Sequence, residues 1–319
     1  MRGVLGAISI AMLAAALQSS SAMATTFTVT TTADSGAGSL RQAISNANAD
    51  ATATAVAPHR IEFNIAGGGV QTITPLTLLP AITRPVVIDA TTQPGSSCGS
   101  LVPTLPAVTN TPHTLMIEIN AASLTTGSIL QIGSSAGGSV VKGLIMDGYN
   151  TAGGYYIRLD AKTNVNCNYI GVSSDGATTP INAKASGIMF TSTADDSLIS
   201  GNLITVNGDG MYPAGSSTDR ITNLTIADNL IGTTASGFGT VMSGTVEVKL
   251  TRGIYTNWLD TAAIRHNIIA NASGVGIWFF STRTSYIRGN YIGVGIDGKT
   301  KIATATGISG NGSEDSIIG

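Results

Sequence analysis

From Gly143 onward the chain alternates short apolar runs of period two with Gly, Asn and Asp, the pattern of half-buried β-strands broken by tight corners. The runs repeat. Aligned on asparagine they read "VNCNYIG" (Asn168), "ISGNLIT" (Asn202), "IADNLIG" (Asn229), "IRHNIIA" (Asn267) and "IRGNYIG" (Asn290). Three residues before each Asn stand Val165, Ile199, Ile226, Ile264 and Ile287; two after stand Ile170, Ile204, Ile231, Ile269 and Ile292. "VVKGLIM" aligns as an earlier member, with Gly143 in the place of the asparagine. Self-similarity of this kind predicts one supersecondary unit stacked on copies of itself.

A second landmark, glycine followed by an apolar residue, falls at Gly154, Gly187, Gly210, Gly253, Gly276 and Gly307. From this Gly to the next Asn the count is 14, 15, 19, 14 and 14 residues; from Gly143 or each Asn to its Gly it is 11, 19, 8, 24, 9 and 17. One arc is nearly fixed and the other alternates short and long. A closed coil with loops let out on one side predicts that alternation. The chain is too poor in Leu for a leucine-rich repeat and lacks propeller blade signatures, which leaves an all-β parallel β-helix with rungs about 4.8 Å apart. In it the asparagine is expected at a corner that needs a left-handed backbone, its amide bonding the same amide on the rungs above and below, as in stacked Asn ladders. Asn168, Asn202, Asn229, Asn267 and Asn290 are therefore read as a structural ladder and not as catalytic groups.

The first 24 residues read as an export signal: Arg2, an apolar run from Val4 to Leu17, then Ala22-Met23-Ala24, so that Thr25 would begin the mature chain. The run is short for a membrane span, and nothing later approaches the roughly 20 apolar residues one requires. A secreted or cell-surface location follows as the expectation. Residues 25–60 predict a strand and a capping helix, with Leu40, Ala43, Ile44 and Ala47 on one face and Ser39 with Gln42 in a capping-box pattern. Such a cap would cover the apolar end of the coil. The coil itself is expected over 61–319, with irregular rungs to about 138 and an insertion around "SSCGSLVPTLPAVTNTPH". "SEDSIIG" at the end parallels "ADDSLISGN" and reads as a rung cut short, to be continued by a further C-terminal region or covered by a partner.

Composition narrows the function classes. At 43% hydrophobic and 11% charged, the chain can fill a core and is not disordered. A net charge of −2 without a Lys/Arg cluster argues against a nucleic-acid partner. Cys98 and Cys167 would permit one disulfide or remain two buried thiols; the sequence leaves both open.

With these features the chain resembles the exported right-handed parallel β-helix repeat proteins of bacteria, whose architecture is shared with pectate lyases. "TFTVTTTADSGAGSLRQAISNAN" is similar to the opening segment named for a Cys-Ser-Leu-Arg-Glu-Ala motif, which stands here as Gly38, Ser39, Leu40, Arg41, Gln42 and Ala43, with Cys and Glu replaced. "ITRPVVIDATTQPG" is similar to an early-rung phrase of the same proteins. The resemblance implies a right-handed coil and favours a surface or binding role.

Function must then come from outward positions. If the apolar residue after each landmark Gly points inward, the next column outward reads Tyr156, Met189, Tyr212, Tyr255, Trp278 and Ser309. Four of six are aromatic in a chain only 5% aromatic. Tyr156, Tyr212, Tyr255 and Trp278 could pack against sugar rings, giving an adhesin-like module that binds a polysaccharide or cell-surface glycan; the alternative is a stripe packed under the long loops. Asp209 and Arg252, directly before landmark glycines, are weak catalytic candidates for a polysaccharide lyase or hydrolase. A lyase resembling this architecture would use Ca²⁺, which takes six to eight oxygens, and no such carboxylate cluster stands out. No cofactor is expected otherwise. Asp228 and His266 precede ladder asparagines and could touch across the corner, while Asp175 and Asp297 lie in Asp-Gly turns.

Overall fold

The computed structural model describes residues 24–103, 109–149, 152–180 and 185–319. The export-signal reading of residues 1–24 lies outside this set except for its last residue. The chain is a parallel β-helix. Among the described residues three parallel sheets wall the coil: a ten-stranded sheet from Thr26–Val29 to Ile317–Ile318, an eight-stranded sheet from Gln71–Ile73 to Tyr291–Ile292, and a seven-stranded sheet from Gly127–Ile132 to Thr306–Asn311.

The isoleucines three before and two after each asparagine hold the interior. Ile61, Ile88, Val141, Val165, Ile199, Ile226, Ile264 and Ile287 pair in register down the ten-stranded sheet. Ile73, Ile119, Met146, Ile170, Ile204, Ile231 and Ile269 do so down the eight-stranded sheet. All are buried, and burying each such side chain is worth about 2 kcal/mol. The third wall contributes Leu130, Ile157, Ile188, Met211, Ile254 and Ile277, likewise in register and buried.

Two glycine positions explain the landmarks. A Cβ at Gly187, Gly210, Gly253 or Gly276 would lie 2.3, 2.5, 2.5 or 2.7 Å from the carbonyl oxygen of the equivalent glycine one rung on. On these four rungs the backbone enters the seven-stranded sheet with no room for a side chain. Gly201 and Gly289 serve the other corner with φ of 62° and 64°.

That second corner corrects the expectation for asparagine. The left-handed residue is the one before it: Cys167, Gly201, Asp228, His266 and Gly289 all have positive φ, whereas the ladder asparagines do not. Gly143 likewise pairs with Cys167 and not with Asn168; Leu144 occupies the ladder position on that rung. The asparagines act through their amides. Each Oδ1 from Asn202 to Asn290 accepts from both the backbone N–H and the Nδ2 of the asparagine before it, at 2.9–3.1 Å. Each Nδ2 also donates to two backbone carbonyls, so a turn buried inside the coil keeps its polar groups paired.

At the N-terminal end the strand Thr26–Val29 pairs with His59–Phe63, and helix α1, Leu40–Ala49, buries Leu40, Ala43, Ile44 and Ala47. Ser39 Oγ accepts from the Gln42 backbone N–H at 3.2 Å, but the Gln42 side chain bonds Asn46, so only half of the capping box forms. Among the described residues no helix is long and apolar enough to cross a membrane.

The insertion around Cys98 folds back over the eight-stranded sheet. Cys98 and Cys167 form a disulfide, with Cα atoms 5.7 Å apart. His113 Nε2 bonds Gly201 O at 2.8 Å, and its ring stacks on Tyr169. Burial lowers the His113 pKa, so the ring stays neutral there. The long loops join this cover. Leu203, Leu230 and Ile268, which point outward, are buried with Leu101, Val172, Ala235, Val241, Val248 and Ile296 in a second apolar cluster outside the coil. The loops meet two rungs apart: Ala235 N donates to Gly176 O at 2.7 Å and Ile296 N to Gly237 O at 3.2 Å. A packed layer of chain needs about 10 Å, two rung spacings, which accounts for the alternation of long and short arcs.

Candidate functional site

The open wall of the coil is the outer face of the seven-stranded sheet, and strand register resolves it into three columns. The central column runs Arg158, Met189, Tyr212, Tyr255, Trp278, Ser309. On one side stand Tyr155, Ser186, Asp209 and Arg252, and on the other Asp160, Thr191, Ala214, Asn257, Phe280 and Asn311. Tyr212 has Tyr255 as its next neighbour by the same register of Met211 with Ile254.

Tyr156 does not belong to this face. The pairing of Tyr155 with Ser186 and Ile157 with Ile188 sets Tyr156 level with the landmark Gly187, and its side chain points into the core at 4% exposure. It packs edge-on against Tyr149, and burial pushes its hydroxyl pKa up. Gly154 is therefore no landmark. Its missing Cβ makes room for the Tyr149 ring. Tyr155, which sequence reasoning passed over, is the outward residue, and its ring lies 6.5 Å from that of Tyr212.

Tyr212, Tyr255 and Trp278 follow one another on three successive rungs with ring centroids 5.4 and 5.2 Å apart and planes tilted by 49° and 39°. The tilt leaves part of each ring uncovered, and all three are half-buried. The described residues of the long loops do not roof them; Val172, Ala235, Val241, Val248 and Ile296 lie on the other sheet.

Asp209 and Arg252 face each other across adjacent rungs in a two-point contact, with Nε to Oδ1 at 2.7 Å and Nη2 to Oδ2 at 2.5 Å. The guanidinium also lies over Tyr255 at 4.1 Å and Trp278 at 5.1 Å, a cation–π geometry. Burial works against its charge, yet the Asp209 carboxylate offsets this and holds the arginine pKa above its ordinary value. Each group is committed to the other. Among the described residues no three His, Cys, Asp or Glu side chains gather as a metal site would need.

The remaining candidates serve turns. His266 Nδ1 lies 3.7 Å from Asp228 Oδ1, both side chains about half exposed, on residues whose left-handed backbone makes the corner. The cleft beside them, about 350 Å³, is walled by Val102, Ile268 and Tyr291. Asp175 and Asp297 close equivalent loop turns, each accepting two backbone N–H groups and a threonine hydroxyl. Burial works against the charge of Asp175, yet these bonds outweigh it, and at Asp297 the bonds lead; both carboxyls are held below the ordinary value.

Fold and face together describe a parallel β-helix with one loop-covered wall and one open aromatic wall. No family model matches the chain, and no curated protein matches it in sequence.

Proposed function

We propose that the protein is an exported, non-catalytic β-helix that binds glycans through the open aromatic wall, with Tyr155, Tyr212, Tyr255 and Trp278 as the contact residues. The observation that carries this reading is the row of ring faces on successive rungs, half-uncovered and held in place by Arg252. Aromatic faces pack on the apolar faces of sugar rings, and a row along the axis repeats that contact for a chain of sugars. The commitment of Asp209 and Arg252 to each other supports binding over catalysis. A secreted or cell-surface location is supported by the export-signal pattern and by the Cys98–Cys167 disulfide, since disulfides persist in oxidising compartments.

The test is retention of the purified chain on a polysaccharide panel, with and without Ca²⁺, while following new reducing ends and the ultraviolet absorbance of unsaturated uronates. Retention without new ends or absorbance is expected, with binding weakened about tenfold in Trp278→Ala, the loss of roughly one ring-to-ring contact. Calcium-dependent absorbance would make the protein a lyase and sink the proposal.

A further inference from the structure

Resting on that reading, we infer that the ligand is an uncharged linear polysaccharide lying along the axis of the coil, across the strands. Direction follows from the rings. Tyr212, Tyr255 and Trp278 occupy three consecutive rungs of one column at 5.4 and 5.2 Å, close to the strand spacing of about 4.8 Å. A ligand running along a strand would meet one ring and then leave the row; a ligand running across the strands meets a ring at every rung.

The absence of charge follows from how the wall's ions are used. Among the described residues its cations are each matched by a carboxylate: Arg252 with Asp209, Arg158 with Asp160 at 2.8 Å, and, at the corner beside Trp258, Arg220 with Asp260 at 2.8 Å. Asp209 and Asp160 are nearly buried, so neither swings away without losing its partner. A uronate polymer brought onto the rings would meet the Asp209 carboxylate as well as the Arg252 guanidinium and would gain nothing from a guanidinium already satisfied at two atoms. Ser309 and Asn311, which follow Trp278 and Phe280 in register, are neutral groups that both donate and accept, the complement of hydroxyls. Rings to stack on, amides and hydroxyls to bond, and no unmatched cation among the described residues form the chemistry of a neutral glycan site.

Affinity electrophoresis decides it, with the chain run through gels containing neutral polymers (xylan, mannan, mixed-linkage glucan) or acidic ones (polygalacturonate, alginate), each at low and high salt. Retardation by a neutral polymer, indifferent to salt and weakened about tenfold in Trp278→Ala, is expected, with no retardation by the acidic polymers. Asp209→Asn leaves Arg252 unmatched among the rings and should gain salt-sensitive retardation by polygalacturonate; continued indifference to acidic polymers in this variant overturns the charge argument. Retardation of the unaltered chain by acidic polymers, falling with salt, overturns the inference while leaving the binding reading intact. No retardation by any polymer, or retardation untouched by Trp278→Ala, brings down the binding reading itself. Circular dichroism of each variant confirms that the coil is retained.

Discussion

Two walls of the same coil carry outward apolar columns at the same rung spacing, and they are used in opposite ways. On the eight-stranded sheet the column Tyr169, Leu203, Leu230, Ile268 is sealed beneath the insertion and the long loops. On the seven-stranded sheet the column Tyr212, Tyr255, Trp278 is left half open, with Arg252 laid against it. Aliphatic side chains have nothing to offer a polar ligand and must be covered; aromatic ones have faces that serve in either state. The contrast shows that an outward apolar residue on a solenoid does not by itself mark a site. What decides is whether the chain spends a loop on it.

The largest expected effect breaks the cover. The Cys98–Cys167 disulfide closes a loop spanning 69 residues and pins the insertion to the ladder corner. In the chain-entropy account such a loop is worth about 4 kcal/mol, so Cys98→Ser should lower the unfolding free energy by that order while leaving glycan retention intact. Retention lost together with stability would mean that the two walls are not independent. Denaturant titration with and without reductant, beside the retention assay, reads both.

A paired substitution sharpens the contrast. Leu230→Ala opens a hole in the sealed cluster and should cost about 3 kcal/mol with binding unchanged. Tyr255→Ala removes a half-open ring and should cost roughly 1 kcal/mol or less, yet weaken retention about tenfold. Equal stability losses at the two sites would show that the open wall is core in disguise.

How much of this could be read from the chain differs between the walls for physical reasons. The coil was legible because its inward isoleucines and ladder asparagines recur at near-fixed spacing, and Tyr212, Tyr255 and Trp278 fell in one column by counting from a real landmark. Tyr156 was misplaced because Gly154 imitates the landmark: it is glycine to admit Tyr149, and on that rung the landmark position holds Tyr156 itself. The left-handed corner residue escaped notice since it varies among Cys, Gly, Asp and His, while the conspicuous asparagine beside it works through its side chain. The destination of the loops was not legible at all. Asn110 donates to Ala235 O at 2.8 Å across 125 residues, and no local pattern announces a contact of that range.

The most local effect concerns how the first long loop is fastened. Ser173 donates to Asp147 Oδ2 at 2.8 Å and Asn120 to its other oxygen at 3.1 Å, where the carboxyl is buried beside Glu118. Burial, and then the Glu118 charge, raise the Asp147 pKa to about 7. The folded state therefore holds a proton that the unfolded chain, at the ordinary value near 3.8, has released. Stability from this group is fully present below that ordinary value and falls as pH rises toward 7, after which it changes no further. The loss is capped by the cost of lifting the loop at Ser173, which lets water reach the carboxylate; a local opening of that kind costs about 1–2 kcal/mol. Hydrogen exchange of the Ser173 and Gly176 amides, corrected for intrinsic rate, should show protection declining from pH 4 to pH 7, and Asp147→Asn should flatten that decline without touching the amides of the aromatic wall. A decline shared equally by both walls would mean that the proton belongs to the whole coil and not to its cover.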